Sequence, residues 1–211
     1  WSSTQIPHLL RNILAATVGL PQHQVRVITP EVGGGFGSKL NVYPEELLAA
    51  FASMKLGLPV KWIEDRSENL AVTVHGRDQL DFIEVAARKD GRVTGLKIHG
   101  ISDMGAYSQL FTDVIMIAFG LPVSCGSYDI PVHISADIVF TNKAPTDAYR
   151  GAGRPEATYV SERAMDLVAH ELGMDPAEVR RINFIQPDQF PYKTSAGAVY
   201  DTGNYEPALD K

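Results

Sequence analysis

An α+β fold, with helices layered against a sheet that contains antiparallel strands, follows from three features of this sequence. Ala157, Val160, Ala164, Leu167, Val168 and Leu172 recur at helical spacing and give one apolar stripe between Pro155 and Gly173. Two β-rich runs flank Lys89-Asp90-Gly91 between Leu80 and His99, and Asp-Gly supplies the positive φ angles that a tight hairpin turn needs. Of the 211 residues 45% are hydrophobic, enough for one good-sized core or two small ones. Helices and hairpins together argue for α+β layers and against a purely parallel sheet.

Taken in order, Gln5 to Gly19 carries Ile6, Leu9, Leu10, Ile13, Leu14 and Val18 at helical spacing. Pro7 stands near its start, where a missing N–H costs little. Gln24 to Pro30 alternates and is rich in β-branched residues, which predicts a strand. A glycine loop from Glu31 to Lys39 follows. Tyr43 to Leu56 predicts a helix with Pro44 in its first turn, Glu45 and Glu46 at its positive end, and a stop at Gly57. Val60 to Glu64 and His133 to Thr141 predict short strands. Gly100 to Ser127 fits either strand ends or a buried helix. Asp175 caps a second C-terminal helix, with Pro176 at its first position and Ala177 to Ile182 following. From Gln186 onward the Pro-, Gly- and Tyr-rich tail reads as ordered loop, and no internal repeat occurs.

Composition excludes several function classes. The net charge is -6, from 25 acidic and 19 basic residues, so the chain lacks the basic balance that a nucleic-acid binder needs. No run reaches the roughly 18 apolar residues of a membrane span, and the longest stretch, Val114 to Val123, is broken by Gly120 and Pro122. The single cysteine, Cys125, permits neither a disulfide framework nor an all-cysteine metal site. It suits a reducing, cytoplasmic compartment. The chain opens at Trp1 and closes in polar Leu209-Asp210-Lys211, as expected of a piece of a longer polypeptide.

Two loops stand out chemically. Gly33, Gly34, Gly35 and Gly37 around Phe36 expose backbone N–H groups with no Cβ in the way, between a predicted strand and a predicted helix. The loop is not a P-loop, because Ser38 precedes Lys39 and Leu40 follows it, and it fits no G-x-G-x-x-G register. Spacing alone leaves an anion-binding loop and a tight structural turn equally open. In Ala148-Tyr149-Arg150-Gly151-Ala152-Gly153-Arg154-Pro155, two arginines flank small residues just before the strongest helix. Arginine forks suit phosphate or carbonyl oxygens, although by itself this stretch reads more simply as a solvated surface loop.

Together the two loops resemble one family. VGGGFGSK (Val32 to Lys39) is similar to the V-G-G-G-F-G-x-K loop of molybdenum hydroxylase large subunits, and AYRGAGRP (Ala148 to Pro155) to their A-[FY]-R-G-x-G-x-P loop. GLPVKW from Gly57, GSYDIP from Gly126, FTNKAP from Phe140 and QFPY from Gln189 resemble the carbon monoxide dehydrogenase branch. The resemblance covers nearly the whole chain. It implies a layered α/β sandwich of the aldehyde oxidase and xanthine dehydrogenase molybdopterin-binding type, with residues 1–211 forming part of the cofactor-binding region of a longer large subunit. It also implies an oxidoreductase that hydroxylates a carbon with oxygen from water. The implied cofactor is molybdopterin, in its cytosine dinucleotide form, carrying molybdenum. FAD and [2Fe-2S] centres are implied on an FAD subunit and an iron–sulfur subunit, beside the remainder of the large subunit.

By that resemblance Gly34, Gly35, Phe36 and Gly37 approach the metal's oxo group and the pterin through backbone donors, while Arg150 and Gly151 line the opposite wall. A Cβ at Gly35 or Gly37 is then expected to meet cofactor rather than protein. The pterin holds the metal, so no protein metal ligand is expected. Two departures bear on substrate. Leu40 stands where purine-oxidising members carry a glutamate, and Gly151 stands where copper-containing carbon monoxide dehydrogenases carry a cysteine. The chain therefore resembles the form II group, with an aldehyde or a small N-heterocycle as the expected substrate. The family's catalytic glutamate motif, G-x-G-E, does not occur, so no general base is named. Glu45 and Glu46 read as a dipole-favoured pair and Glu64, Asp65 and Glu68 as a solvated loop. The glutamine-bearing loop that contacts the apical oxo group is also expected to lie outside the chain. A non-catalytic scaffold or binding domain, and a true carbon monoxide dehydrogenase, are the alternatives.

Overall fold

The computed structural model describes the backbone of residues 1–211 and every side chain except those of Met116, Ala118 and Phe119. The chain divides into two compact units. The first comprises Trp1–Gly76, Gly105–Thr112 and Asn142–Arg150; the second comprises Arg77–Met104, Asp113–Thr141 and Gly151–Lys211.

In the first unit, helix α1 (Pro7–Val18) buries Leu10 and Ala15 and ends at Gly19, and it packs on helix α2 (Pro44–Leu56). At the start of α2 the Glu46 carboxylate accepts the Tyr43 N–H at 3.1 Å and also the Ser2 hydroxyl, so this glutamate is a cap. Asp65 caps the short helix α3 (Arg66–Val72), trading hydrogen bonds with Glu68 at 2.8 Å in each direction. Two predicted strands are corrected here. Gln24–Pro30 and Val60–Glu64 have no strand ladder. Alternation of β-branched residues shows which way side chains face, but a strand also needs a neighbour, and Ile28 gives only its carbonyl to the Ser2 N–H at 3.1 Å. Backbone hydrogen bonds tie the separate segments of this unit together. His75 accepts from Asp147 and donates to Pro145, and Ala106 donates to Lys143, at 2.8, 2.9 and 3.0 Å.

The second unit is built on a three-stranded sheet ordered β1 (Gln79–Ala87), β2 (Val93–Asp103), β3 (Val132–Val139). The predicted hairpin forms the antiparallel β1–β2 pair, and β3 adds in parallel, so the sheet is mixed. The stretch from 100 to 127 contains a strand end and a helical segment, but the buried helix is corrected, since Val114 and Ile117 are 40% and 51% exposed. β2 runs on to Asp103, and a helical segment then passes from α4 (Thr112–Val114) through a π-helical turn (Ile115–Gly120) to a 3₁₀ turn (Leu121–Val123). Helix α5 (Arg154–Leu172) turns Val160, Ala164, Met165 and Val168 into a core shared with Leu96 and Ile98 of β2. Cys125 and Tyr128 complete it. Helix α6 (Pro176–Asn183) is capped by Asp175, whose side chain accepts from Ala177 at 2.8 Å. The tail is more ordered than its composition suggests, with a two-strand hairpin of β4 (Tyr192–Lys193) and β5 (Val199–Tyr200) and a last turn α7 (Glu206–Leu209).

Candidate functional site

The glycine loop lies in the first unit, and its ends are joined: the Lys39 ammonium donates to the Val32 carbonyl at 2.6 Å. A 3₁₀ turn (Ser38–Leu40) follows it, and the Tyr43 hydroxyl donates to the Ser38 carbonyl at 2.6 Å. Burial raises the pKa of this tyrosine above its ordinary value, against the lowering effect of that hydrogen bond, so the phenol stays a neutral donor. At the tip, Phe36 takes a positive φ of 52° and stands 57% exposed.

The structure brings the second motif to the first. The Arg150 N–H donates to the Phe36 carbonyl at 2.8 Å, and the Arg150 guanidinium lies 5.4 Å from the centroid of the Phe36 ring, a cation–π distance. At Gly37, with φ of 100°, a Cβ would fall 2.6 Å from the Ala148 carbonyl carbon, so only glycine lets the two backbones approach. At Gly35 a Cβ would run into the Gln5 side chain, 2.5 Å from its Cδ. The expectation that cofactor rather than protein fills these two places is therefore corrected at both. Two protein segments distant in sequence already press against the loop at these places.

Gln5, which no sequence pattern singled out, lies against the same loop. Its backbone N–H donates to the Lys39 carbonyl at 2.8 Å, and its side-chain Oε1 accepts the Gly37 N–H at 3.0 Å. That fixes the amide's orientation, leaving Nε2 as a donor with no protein acceptor among the described residues. The N–H groups of Gly34, Gly35 and Phe36 likewise have no protein acceptor among the described residues. A loop that offers several N–H donors beside a glutamine amide and an arginine fits an anionic, oxygen-rich group such as the oxo and pterin atoms of a molybdenum cofactor.

Gly151 opens the second unit, in a left-handed stretch where Gly151, Ala152 and Gly153 have φ of 107°, 45° and 82°. A Cβ on Gly151 would come 2.5 Å from Pro155 Cγ, so a side chain at this place would collide with the proline ring. Cys125 is fully buried in the second unit's core, as an apolar cysteine would be. Among the described residues no group of three or more His, Cys, Asp or Glu could hold a metal ion. Glu64 bonds the Asn69 amide at 2.6 Å beside the Asp65–Glu68 cap, which leaves these acids structural. No helix of the described residues is long and apolar enough to cross a membrane.

Comparison with known proteins gives the family of the chain. The molybdopterin cofactor-binding domain family matches residues 1–184. The carbon monoxide dehydrogenase large chain of Afipia carboxidovorans is 44% identical over the whole chain and 26% of its own length. The nicotine 6-hydroxylase large subunit of Paenarthrobacter nicotinovorans is 38% identical, again over the whole chain and 26% of its length. The solved structure of quinoline 2-oxidoreductase from Pseudomonas putida 86 superposes with a TM-score of 0.94 at 38% identity, over 100% of this chain and 27% of that one. The chain thus spans about a quarter of the length of its relatives. Family match, relatives and superposition agree that this chain belongs to the molybdopterin cofactor-binding domain family of the molybdenum hydroxylases.

Proposed function

We propose that residues 1–211 are part of the cofactor-binding region of a large subunit whose full assembly hydroxylates an aldehyde or N-heterocycle carbon with oxygen from water. The observation that carries this reading is the set of backbone donors at Gly34, Gly35 and Phe36, without an acceptor among the described residues and grouped with the Gln5 amide. When bound, the cofactor supplies a molybdenum centre that takes two electrons from the substrate carbon. The chain's own part is binding and orientation. Gly34, Gly35 and Phe36 would donate to cofactor oxygens, and Gln5 Nε2 would add a side-chain donor beside them. Gly37 holds the loop against Ala148, and Arg150 and Gly151 form a further wall.

The cofactor is proposed in its cytosine dinucleotide form, with [2Fe-2S] and FAD centres on partner subunits in the cytoplasm. Substrate preference follows from two positions: Leu40 gives no polar partner to a purine, and Gly151 has no thiolate for soft Cu(I). The names of the nicotine and quinoline enzymes support an N-heterocycle. The test is metal analysis and turnover of the full assembly in ¹⁸O-labelled water. Molybdenum without stoichiometric copper, and ¹⁸O in an aldehyde- or heterocycle-derived product, are expected. Stoichiometric copper with carbon monoxide oxidation would overturn the substrate assignment, and an assembly that folds without molybdenum would favour the scaffold reading. The 211-residue chain alone, which carries no G-x-G-E glutamate, is expected to reduce no dye with any aldehyde.

A further inference from the structure

A second concentration of unpaired donors lies elsewhere in the first unit. Helix α1 and the extended segment 24–30 enclose a groove of about 400 Å³, lined by Pro7, His8 and Arg11 on one side and Val25, Arg26 and Thr29 on the other. That volume falls in the range of small-ligand sites, roughly 300–1,000 Å³. Two of its polar atoms, Arg11 Nε and Thr29 Oγ1, are buried without any hydrogen-bond partner. The rest of the Arg11 guanidinium reaches only neutral amide oxygens, of Asn12 at 3.3 Å and Gln22 at 3.4 Å. Neither Arg11 nor Arg26 has a carboxylate partner among the described residues, and no carboxylate lines the groove. In a chain of net charge -6, this groove gathers two arginines with no carboxylate among its lining residues, Arg26 and His8 at its exposed rim and the unpartnered Arg11 Nε and Thr29 Oγ1 buried within it.

Burying a guanidinium N–H and a hydroxyl without partners costs stability, which an incoming acceptor would recover. A planar carboxylate is satisfied by a single guanidinium fork. This groove instead presents donors from both walls: a guanidinium on each, an imidazole on one and a hydroxyl on the other. Several acceptor oxygens in a tetrahedral arrangement answer that pattern.

From these observations we infer that the groove is an anion site for a phosphoryl group, either free as phosphate or diphosphate or carried by a nucleotide. The inference is independent of the cofactor reading, because none of its lining residues belongs to the glycine loop. It is tested by calorimetric titration of the full assembly with inorganic phosphate, pyrophosphate and ADP, with acetate as a fourth arm. Saturable one-to-one binding of a phosphoryl ligand is expected, weaker at higher salt. Affinity should fall about tenfold in Arg26→Ala and severalfold in Arg11→Lys, which keeps the charge but loses the planar fork. Arg88→Ala, a substitution in the other unit, should leave it unchanged. Melting temperatures of all variants report whether each is folded. Tighter binding of ADP than of pyrophosphate would assign the phosphoryl group to a nucleotide, and equal or weaker binding to the free anion. No saturable binding by any of the three, acetate binding as tightly as phosphate, or full affinity in folded Arg26→Ala and Arg11→Lys would overturn the proposal.

Discussion

The two units hold themselves together in different ways. The second buries apolar side chains from a sheet, α5 and α6 in one cluster, from Val93 and Ile98 to Met165 and Val179. In the first, only Leu10, Ala15 and Ala148 are fully buried apolar residues among those described, while Phe51, Leu56, Trp62 and Ile63 stand more than half exposed. Its order comes instead from backbone hydrogen bonds between segments far apart in sequence, such as Gln5 to Lys39 and Arg150 to Phe36. Side-chain packing tolerates little change in volume, whereas a frame of backbone contacts is sensitive to single Cβ atoms and leaves loop donors available. The candidate site follows that division, with its donor-bearing loop in the sparsely packed unit.

The largest effect is expected in the packed unit, at Asn183. This fully buried amide accepts from the Val93 N–H at 2.9 Å and donates to the carbonyls of Gly91 and Val179 at 2.9 and 2.7 Å. Asn183→Ala removes all three bonds, leaving the Val93 N–H and the Gly91 carbonyl without this buried partner, and should cost about 3 kcal/mol. Urea unfolding followed by hydrogen exchange in β2 measures it, and a loss under about 1 kcal/mol would mean that packing alone holds this unit.

Next comes the frame of the first unit. Gly37→Ala combines a left-handed φ with a collision against the Ala148 backbone, and should cost about 2 kcal/mol in the cofactor-free chain. An unchanged melting temperature would show that the loop is looser than its contacts imply. Gly35→Ala should behave differently, because its Cβ meets only the movable end of Gln5. Stability should change by less than about 0.5 kcal/mol, while molybdenum content of the full assembly falls because the Gln5 amide is displaced. Equal destabilisation by both substitutions would erase the distinction.

The smallest effect concerns pH. The Tyr192 hydroxyl, donating to Asp129 at 2.6 Å, holds that carboxylate below its ordinary pKa against a partial desolvation, with help from Gln189 and Arg92. A carboxylate with a depressed folded pKa contributes stability above its unfolded value, near pH 3.9, and loses it as pH falls through the folded pKa. Asp129→Asn should therefore narrow the stability gap between neutral and acid pH. Identical acid-unfolding curves for the two proteins would remove Asp129 from the account.

What the sequence made legible divides along the same line. Helices α1, α2, α5 and α6 and the β1–β2 hairpin were readable because periodicity, caps and an Asp-Gly turn are local signals. Gln24–Pro30 and Val60–Glu64 were misread because alternation carries no information about whether a neighbouring strand exists. The glycine and arginine loops were legible as motifs. Gln5 was not: a single glutamine before a helix has no pattern, and only a contact across 32 residues to Gly37 gives it a place. Signals of that kind belong to the fold and cannot be read along the chain.

The claim that the loop's free donors hold the cofactor is tested most directly by amide hydrogen exchange on the full assembly, prepared with and without molybdenum cofactor. Protection of Gly34, Gly35 and Phe36 should rise on loading, whereas Gly37, already bonded to Gln5, and Arg150, already bonded to Phe36, should change little. Exchange at Gly34 to Phe36 that is the same in loaded and cofactor-free assemblies would contradict the account.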